Sequence, residues 1–369
     1  MTLSVKLGSL LLTSKEYARF TDNQKWLEGL LRGFPVGDFL GLSTNSLRPC
    51  VIMYGSSVSG TAFQKADIDY SLLFLNNVST TDLQEGGCLN FSQSEFIEVG
   101  RSYHKQVLLS VLEYMKREVC PSEVMQYEQV FSARVPVLRV WKSASDKADN
   151  LYFDMSMSLD GPRNSLLLRL YMKSDPRLRA GVLCIKRWCH SQGILDARRG
   201  WISPYALTVM YIFYMQVTKR TTQIIDENDV DKLLNSVAKL LRSGDGGNVS
   251  DAYGMLPYEE ADMMVVFDDL RNFFSFFGEC ERFDFDNDVV DIRTRGKLLS
   301  KEAWVEEIKQ LDEKERWKLM GYETMLIRDP YENHNLGRGV DFFRGEKIRE
   351  VFRLSSKLMC GDIFGFLLS

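Results

Sequence analysis

The spacing of apolar and polar positions changes several times along the chain, and each change marks out an element. Residues 51–54 are a short apolar run that ends on Gly55, and residues 70–75 form a second run after a polar interval; both read as strands. Residues 135–141 read as another strand. Residues 151–158 then alternate strictly, with Leu151, Phe153, Met155 and Met157 on one face and Asp154, Ser156 and Ser158 on the other. Between these two runs, residues 143–150 have the composition of a hairpin loop. Helical spacing takes over in residues 107–115, 166–172 and 182–190. In the last of these, Val182, Ile185 and Cys189 have core spacing, while Lys186 and His190, four apart, share another face. Ser203 suits the cap of a further helix and Pro204 its first turn.

These elements predict an α+β chain of three parts. Residues 1–35 form an N-terminal segment whose Trp26, Leu27, Leu30 and Leu31 offer an apolar face to the helical domain. Residues 36–160 form a sheet domain, with the polar, Gly- and Asn-rich stretch 76–92 as a surface loop or an accessory insertion within 76–105. Residues 161–369 form a mainly helical domain.

The chemistry concentrates where the first two strands meet. Asp67 and Asp69 flank Ile68, so an extended backbone turns both carboxylates to one side. The preceding Gly55-Ser56-Ser57 has the small residues that let backbone N–H groups approach a phosphate. Either fragment alone also fits ordinary turn material or a solvated carboxylate pair. Their ordered conjunction points to divalent cations held against a triphosphate, and it requires a third acid on a neighbouring strand. Asp154 meets that requirement. Asp160, just before Gly161-Pro162, reads as a turn residue.

Composition narrows the class. The 369 residues are 45% hydrophobic and include 22 Phe, enough for two packed domains and against extensive disorder. Seven scattered Cys and three His lack the spacing of a zinc site and fit reduced thiols. A net charge of −4 argues against a broad nucleic-acid-binding surface. No uninterrupted apolar run is long enough to span a bilayer, so no membrane insertion is expected. Residues 1–15, apolar with Lys6 and Lys15 but no acid, fit either a remnant of organelle import or an N-terminal strand or helix.

Together, Gly55-Ser56, the Asp67/Asp69 pair and Asp154 resemble the motifs of the nucleotidyltransferase superfamily that includes DNA polymerase beta, non-canonical poly(A) polymerases and terminal uridylyltransferases. The resemblance implies a mixed-sheet catalytic domain, a poly(A)-polymerase-associated-type helical domain and an intervening nucleotide-binding cleft. It implies that Asp67, Asp69 and Asp154 bind two Mg2+ or Mn2+ ions, with Asp154 also helping to activate an RNA 3′ hydroxyl. Gly55, Ser56 and Ser57 then face the phosphates. Asn164 meets the ribose and base edge, although an Asn at a helix start also reads as a cap. Lys186, Cys189 and His190 fall on the nucleotide-binding helix, with His190 in place of the commoner lysine. Ser203 and Tyr205 resemble a Ser-Ser-Tyr segment whose tyrosine stacks on the base; Pro204 replaces the second serine, and Tyr205 also reads as a core residue.

Base choice rests on residues 327–338. Asp329, Glu332 and Arg338 resemble the nucleotide-recognition motif in its uridylyltransferase form, in which the acids offer acceptors to uracil N3–H. An adenine amine can use the same acids. UTP is therefore the expected substrate, with an ATP-using poly(A) polymerase and an inactive RNA-binding scaffold as alternatives. The expected partners are an RNA 3′ end and a protein that aids RNA selection. The lack of added RNA-binding modules resembles the minimal mitochondrial uridylyltransferases of kinetoplastids, particularly the minor editing-associated enzyme, and implies a mitochondrial location.

Overall fold

The computed structural model describes residues 2–36, 47–76, 89–91, 96–119, 124–131, 134–143, 151–222, 224–242, 254–279 and 281–358. Residues 144–150, the expected hairpin loop, lie outside this set, as do 77–88 of the polar stretch. The chain forms two compact units: Leu11–Leu170 with Asp226–Pro257, and Met1–Leu10 with Tyr171–Ile225 and Tyr258–Ser369.

The first unit is built on one mixed sheet. Its strands are β1 (Leu47–Tyr54), β2 (Ile68–Asn76), β3 (Leu89–Phe91), β4 (Phe96–Val99), β5 (Val124–Val130), β6 (Val137–Ser143) and β7 (Leu151–Ser156). They run in the order β3-β4-β2-β7-β6-β5, and β1 pairs along β2. β2 and β7 are parallel, whereas β1–β2, β6–β7 and β5–β6 are antiparallel. The alternation expected for residues 151–158 is realised in part: Phe153, Met155 and Met157 are buried and Asp154 is half-buried, but Ser156 and Ser158 are buried as well.

Three segments depart from the expected division. Helix α2 (Ser14–Leu31), which follows the short α1 (Leu3–Gly8), belongs with the sheet, not with the helical unit. Its buried stripe is Tyr17, Phe20, Asn23, Gln24, Leu27 and Leu31, so two amides sit in what the sequence suggested was a purely apolar face. Gln24 Nε2 donates to Val51 O at 2.7 Å, Asn23 Nδ2 to the Tyr70 hydroxyl at 3.3 Å, and that hydroxyl to Phe20 O at 2.7 Å. The NH2 group of each buried amide thus gains a partner on the sheet. Only α1 stays with the helical unit, where Ser4 Oγ lies 3.0 Å from the Tyr258 hydroxyl.

Residues 226–257 likewise return to the sheet unit: Arg48 Nη1 donates to Leu241 O at 2.9 Å, and Arg163 pairs with Asp231 at 3.5 Å. The third departure is Asp160, which opens a helix instead of a turn. In chain order the helices continue as α3 (Ser56–Ser59), α4 (His104–Glu118) and α5 (Asp160–Ser174), so Gly161-Pro162 occupies the first turn of α5. Asn164 therefore lies inside a helix and is not its cap.

The second unit is mainly helical. α6 (Pro176–Ser191), α7 (Pro204–Val217), α9 (Met263–Gly278) and α12 (Phe342–Leu358) pack together, while α8 (Glu227–Arg242) belongs to the sheet unit. Gly181 lets α7 approach α6, since a Cβ there would meet the Tyr211 hydroxyl at 2.1 Å. Aromatic residues fill the core of this unit: the Phe273 ring lies within 5.7 Å of those of Tyr211, Tyr214, Phe274, Phe277 and Phe352. A smaller core of Val289, Trp304, Ile308, Met320 and Leu326 supports the segment that carries Asp329. It joins β8 (Asp288–Val289), β9 (Leu299–Ser300), α10 (Lys301–Glu307) and α11 (Glu313–Met320).

Candidate active site and nucleotide-recognition loop

Strand register brings the candidate residues of the sheet unit into one line. Tyr54 of β1 lies opposite Asp69 of β2, Asp69 beside Asp154 of β7, Asp154 opposite Arg139 of β6, and Arg139 opposite Glu128 of β5. Residues paired across a sheet share a face, so Asp69 and Asp154 project side by side. Asp67, one residue before β2, is exposed.

Gly55 follows β1 and makes room for this line. Its backbone sits at φ 79° and ψ −152°, a region open essentially to glycine alone. A Cβ there would lie 2.2 Å from Asp69 Oδ2. Glycine thus serves the carboxylate's position as well as the turn. The Gly55 amide donates to Ser165 Oγ at 2.7 Å, and that hydroxyl donates to Gly161 O at 2.7 Å, so the turn is tied to the first turn of α5. Ser57 is buried and its hydroxyl donates to Tyr54 O at 3.1 Å; Ser56 is half-exposed. The Gly55 amide and the Ser57 hydroxyl are thus both engaged within the protein.

Arg139 gave no signal in the sequence. It donates through Nε to Asp154 Oδ1 at 3.0 Å and through Nη2 to Oδ2 at 3.2 Å, and Nη1 reaches Glu128 at 2.7 Å. These hydrogen bonds, that to Asp154 first, strengthen its hold on its proton. Tyr54 adds a second link: its hydroxyl lies 3.2 Å from Ser156 Oγ, and a Cβ on Gly161 would meet its ring at 2.7 Å. Burial, and then the nearby Asp69 carboxylate, push its ionisation upward.

The donor set suits a hard divalent cation, because Asp67, Asp69 and Asp154 offer only oxygens. Among the described residues, no three acidic, His or Cys side chains already close around one point. Arg139 occupies both Asp154 oxygens, so a cation must share that carboxylate or displace the guanidinium. Asn164, in the same unit, has a buried Oδ1 that accepts no hydrogen bond among the described residues.

The remaining candidates lie in the helical unit. Lys186 is half-buried, and burial pulls its pKa down to about 8. His190 is exposed. Cys189 does not join them: it is fully buried with Val182 and Ile185, and burial drives its thiol pKa upward. Three- and four-residue helical spacing turns it to the core. Ser203 caps α7 as expected, accepting from Ala206 N at 3.0 Å, and Tyr205 in the first turn is half-exposed.

Asp329 is almost completely buried, and its Oδ1 accepts from the amides of Tyr331 and Glu332, each at 2.9 Å. It shapes the loop that presents Glu332. His334, absent from the sequence expectations, and Asn335, which lies within the recognised 327–338 stretch, complete that loop. His334 is buried, with Nδ1 3.1 Å from Glu332 Oε2. Asn335, fully buried, accepts from Ile327 N and Gly337 N and donates to Met320 O, each at 2.9 Å. Arg338 donates to Lys318 O at 2.9 Å.

Comparison with known proteins places these features in context. Residues 11–173 match the family model of the central palm domain of mitochondrial-like poly(A) RNA polymerase, and residues 270–335 match that of Cid1 family poly A polymerase. Terminal uridylyltransferase 3 of Trypanosoma brucei brucei is 31% identical over 217 residues, 54% of this chain and 23% of the relative. Poly(A) RNA polymerase gld-2 homolog B of Drosophila melanogaster is 25% identical over 83% of this chain and 21% of its own length. The chain thus spans less than a quarter of either relative. Among solved structures, terminal uridylyl transferase 4 from Trypanosoma brucei with bound dUTP superposes with a TM-score of 0.66 and 21% identity, over 97% of this chain and 100% of that one, a likeness of fold.

Proposed function

We propose that this chain, whose residues 11–173 and 270–335 match poly(A) polymerase family models, is a DNA polymerase beta-like nucleotidyltransferase, of the superfamily that holds terminal uridylyltransferases and Cid1-type poly(A) polymerases, and that it transfers UMP from UTP to an RNA 3′ hydroxyl. The observation that carries this reading is the line of Asp69 and Asp154 against Gly55, where only the missing Cβ lets the first carboxylate stand. The acceptor oxygen attacks the α-phosphorus, the new P–O bond forms as the bond to pyrophosphate breaks, and Asp154 orients the hydroxyl and draws off its proton. Mg2+ or Mn2+ held by Asp67, Asp69 and Asp154 would neutralise charge on the triphosphate and acidify the attacking hydroxyl. Ser56 and Lys186 bind the phosphates, Asn164 Oδ1 accepts from the ribose, and Tyr205 stacks on the base.

Uracil is favoured by the loop chemistry. Glu332, held by the Asp329 turn and by His334, offers an acceptor that matches uracil N3–H. The net charge of −4 favours a protein partner for RNA selection. The mitochondrial-like palm match favours a mitochondrial location, and a narrower kinship with the minor editing-associated uridylyltransferase would agree with it. Side-by-side extension of a labelled 3′-hydroxyl RNA with each ribonucleotide tests the substrate. UTP should be used most efficiently; efficient ATP use with little UTP use would instead assign a poly(A) polymerase, and no extension with Mg2+ or Mn2+ would assign a scaffold.

A further inference from the structure

The line of carboxylates does not end the functional face of the sheet. One register step further along, on the same face, Trp141 of β6 lies directly opposite Tyr152 of β7, the residues two beyond Arg139 and two before Asp154. Their ring centroids are 5.4 Å apart at an interplanar angle of 52°, and both side chains are only half-buried. The Arg139 guanidinium carbon lies 5.8 Å from the Tyr152 ring centre. The helix-covered face of the same strands is different: Leu138, Val140, Phe153 and Met155 are buried there without exception. A Trp and a Tyr left half-open on the polar face, about 7 Å along the strand from Asp154, are therefore not part of that core.

From this geometry we propose that Trp141 and Tyr152 form a stacking platform for a base within the last few nucleotides of the RNA acceptor. The proposal rests on the nucleotidyltransferase reading above. Tyr152 stands only two residues along β7 from Asp154, close enough for a base next to a 3′ hydroxyl at Asp154 to reach it. An aromatic face holds any base without choosing its sequence. This suits a chain with no broad basic surface: the grip comes from stacking at the terminus.

The test uses oligoribonucleotides with an abasic site at each of the last three positions. With wild-type protein, one of these substitutions should raise the RNA KM about 5- to 100-fold, the range of one base–aromatic stack, while leaving the UTP KM unchanged. Trp141→Ala should raise the RNA KM similarly and lose further sensitivity to that abasic position. Trp141→Phe should keep most of the affinity. Equal KM for intact and all abasic acceptors on wild-type protein would overturn the proposal, even if Trp141→Ala does not fold. So would unchanged RNA affinity in a folded Trp141→Ala protein, which leaves the pair as a sheet-stabilising contact or a protein-docking patch. Binding is read independently of chemistry with acceptors carrying 2-aminopurine at the same positions. Quenching by wild-type protein but not by Trp141→Ala supports the platform even if no nucleotide is added, whereas equal emission counts against it.

Discussion

Gly55→Ala is the sharpest perturbation of the carboxylate line. An alanine at φ 79°, ψ −152° occupies a backbone region that costs about 1–3 kcal/mol for a residue with a Cβ. The new methyl would also stand 2.2 Å from Asp69 Oδ2, so the carboxylate must retreat by roughly 1 Å to restore an ordinary contact. A misplacement of about 1 Å at a reacting centre costs on the order of a hundredfold in rate. Gly60→Ala is the matched control: it too has positive φ, 80°, but its Cβ would meet the Leu256 side chain, with Cδ2 at 2.6 Å, and no carboxylate. Both variants should lose about 1–2 kcal/mol of stability in urea melts. Only Gly55→Ala should lower kcat, by about a hundredfold or more, with the UTP KM changed little. A Gly55→Ala enzyme within threefold of wild-type kcat, or a Gly60→Ala enzyme equally impaired, would refute the link between this glycine and the carboxylate.

Three further outcomes are expected. Arg139→Lys keeps the charge but loses the two-point hold on Asp154, so kcat should fall about tenfold and the Mg2+ concentration for half-maximal rate should shift; unchanged metal dependence would mean that Arg139 and the cation do not meet at Asp154. Because burial lowers the Lys186 pKa to about 8, its positive charge is present below that pH and lost above it. kcat/KM for UTP should therefore decline as pH rises through about 8 and flatten in Lys186→Met; an identical profile in the variant would remove Lys186 from phosphate binding. Asn335→Ala leaves three backbone groups without their buried partner and should cost about 3 kcal/mol, read as a lower Tm together with a weaker UTP KM. A Tm equal to wild type would show that the loop is held by other contacts.

The period of two in a strand fixes which face a side chain takes regardless of tertiary context, so the shared face of Asp69 and Asp154 follows once β2 and β7 pair. Arg139 could not be read from the sequence, because its partner is set by the β6–β7 register, and an arginine within a strand carries no local mark of it. The destination of α2 was hidden for the opposite reason: Asn23 and Gln24 interrupt its buried stripe, and only the sheet atoms they bond to explain them. Helical periodicity did separate Cys189 from Lys186, but family pattern drew both toward the nucleotide until burial parted them. His334 and Asn335 stand beside the recognised Asp329 and Glu332, and their roles come from bonds within a folded loop, not from spacing.

The central claim is tested most directly by one turnover on a defined RNA with all four ribonucleoside triphosphates present in equal amounts, the product identified by mass. Wild-type protein should add uridine monophosphate to the 3′ end, and Asp69→Asn and Asp154→Asn proteins should add nothing while remaining folded. Addition of adenosine in preference to uridine, or undiminished addition by either Asn variant, would contradict the account.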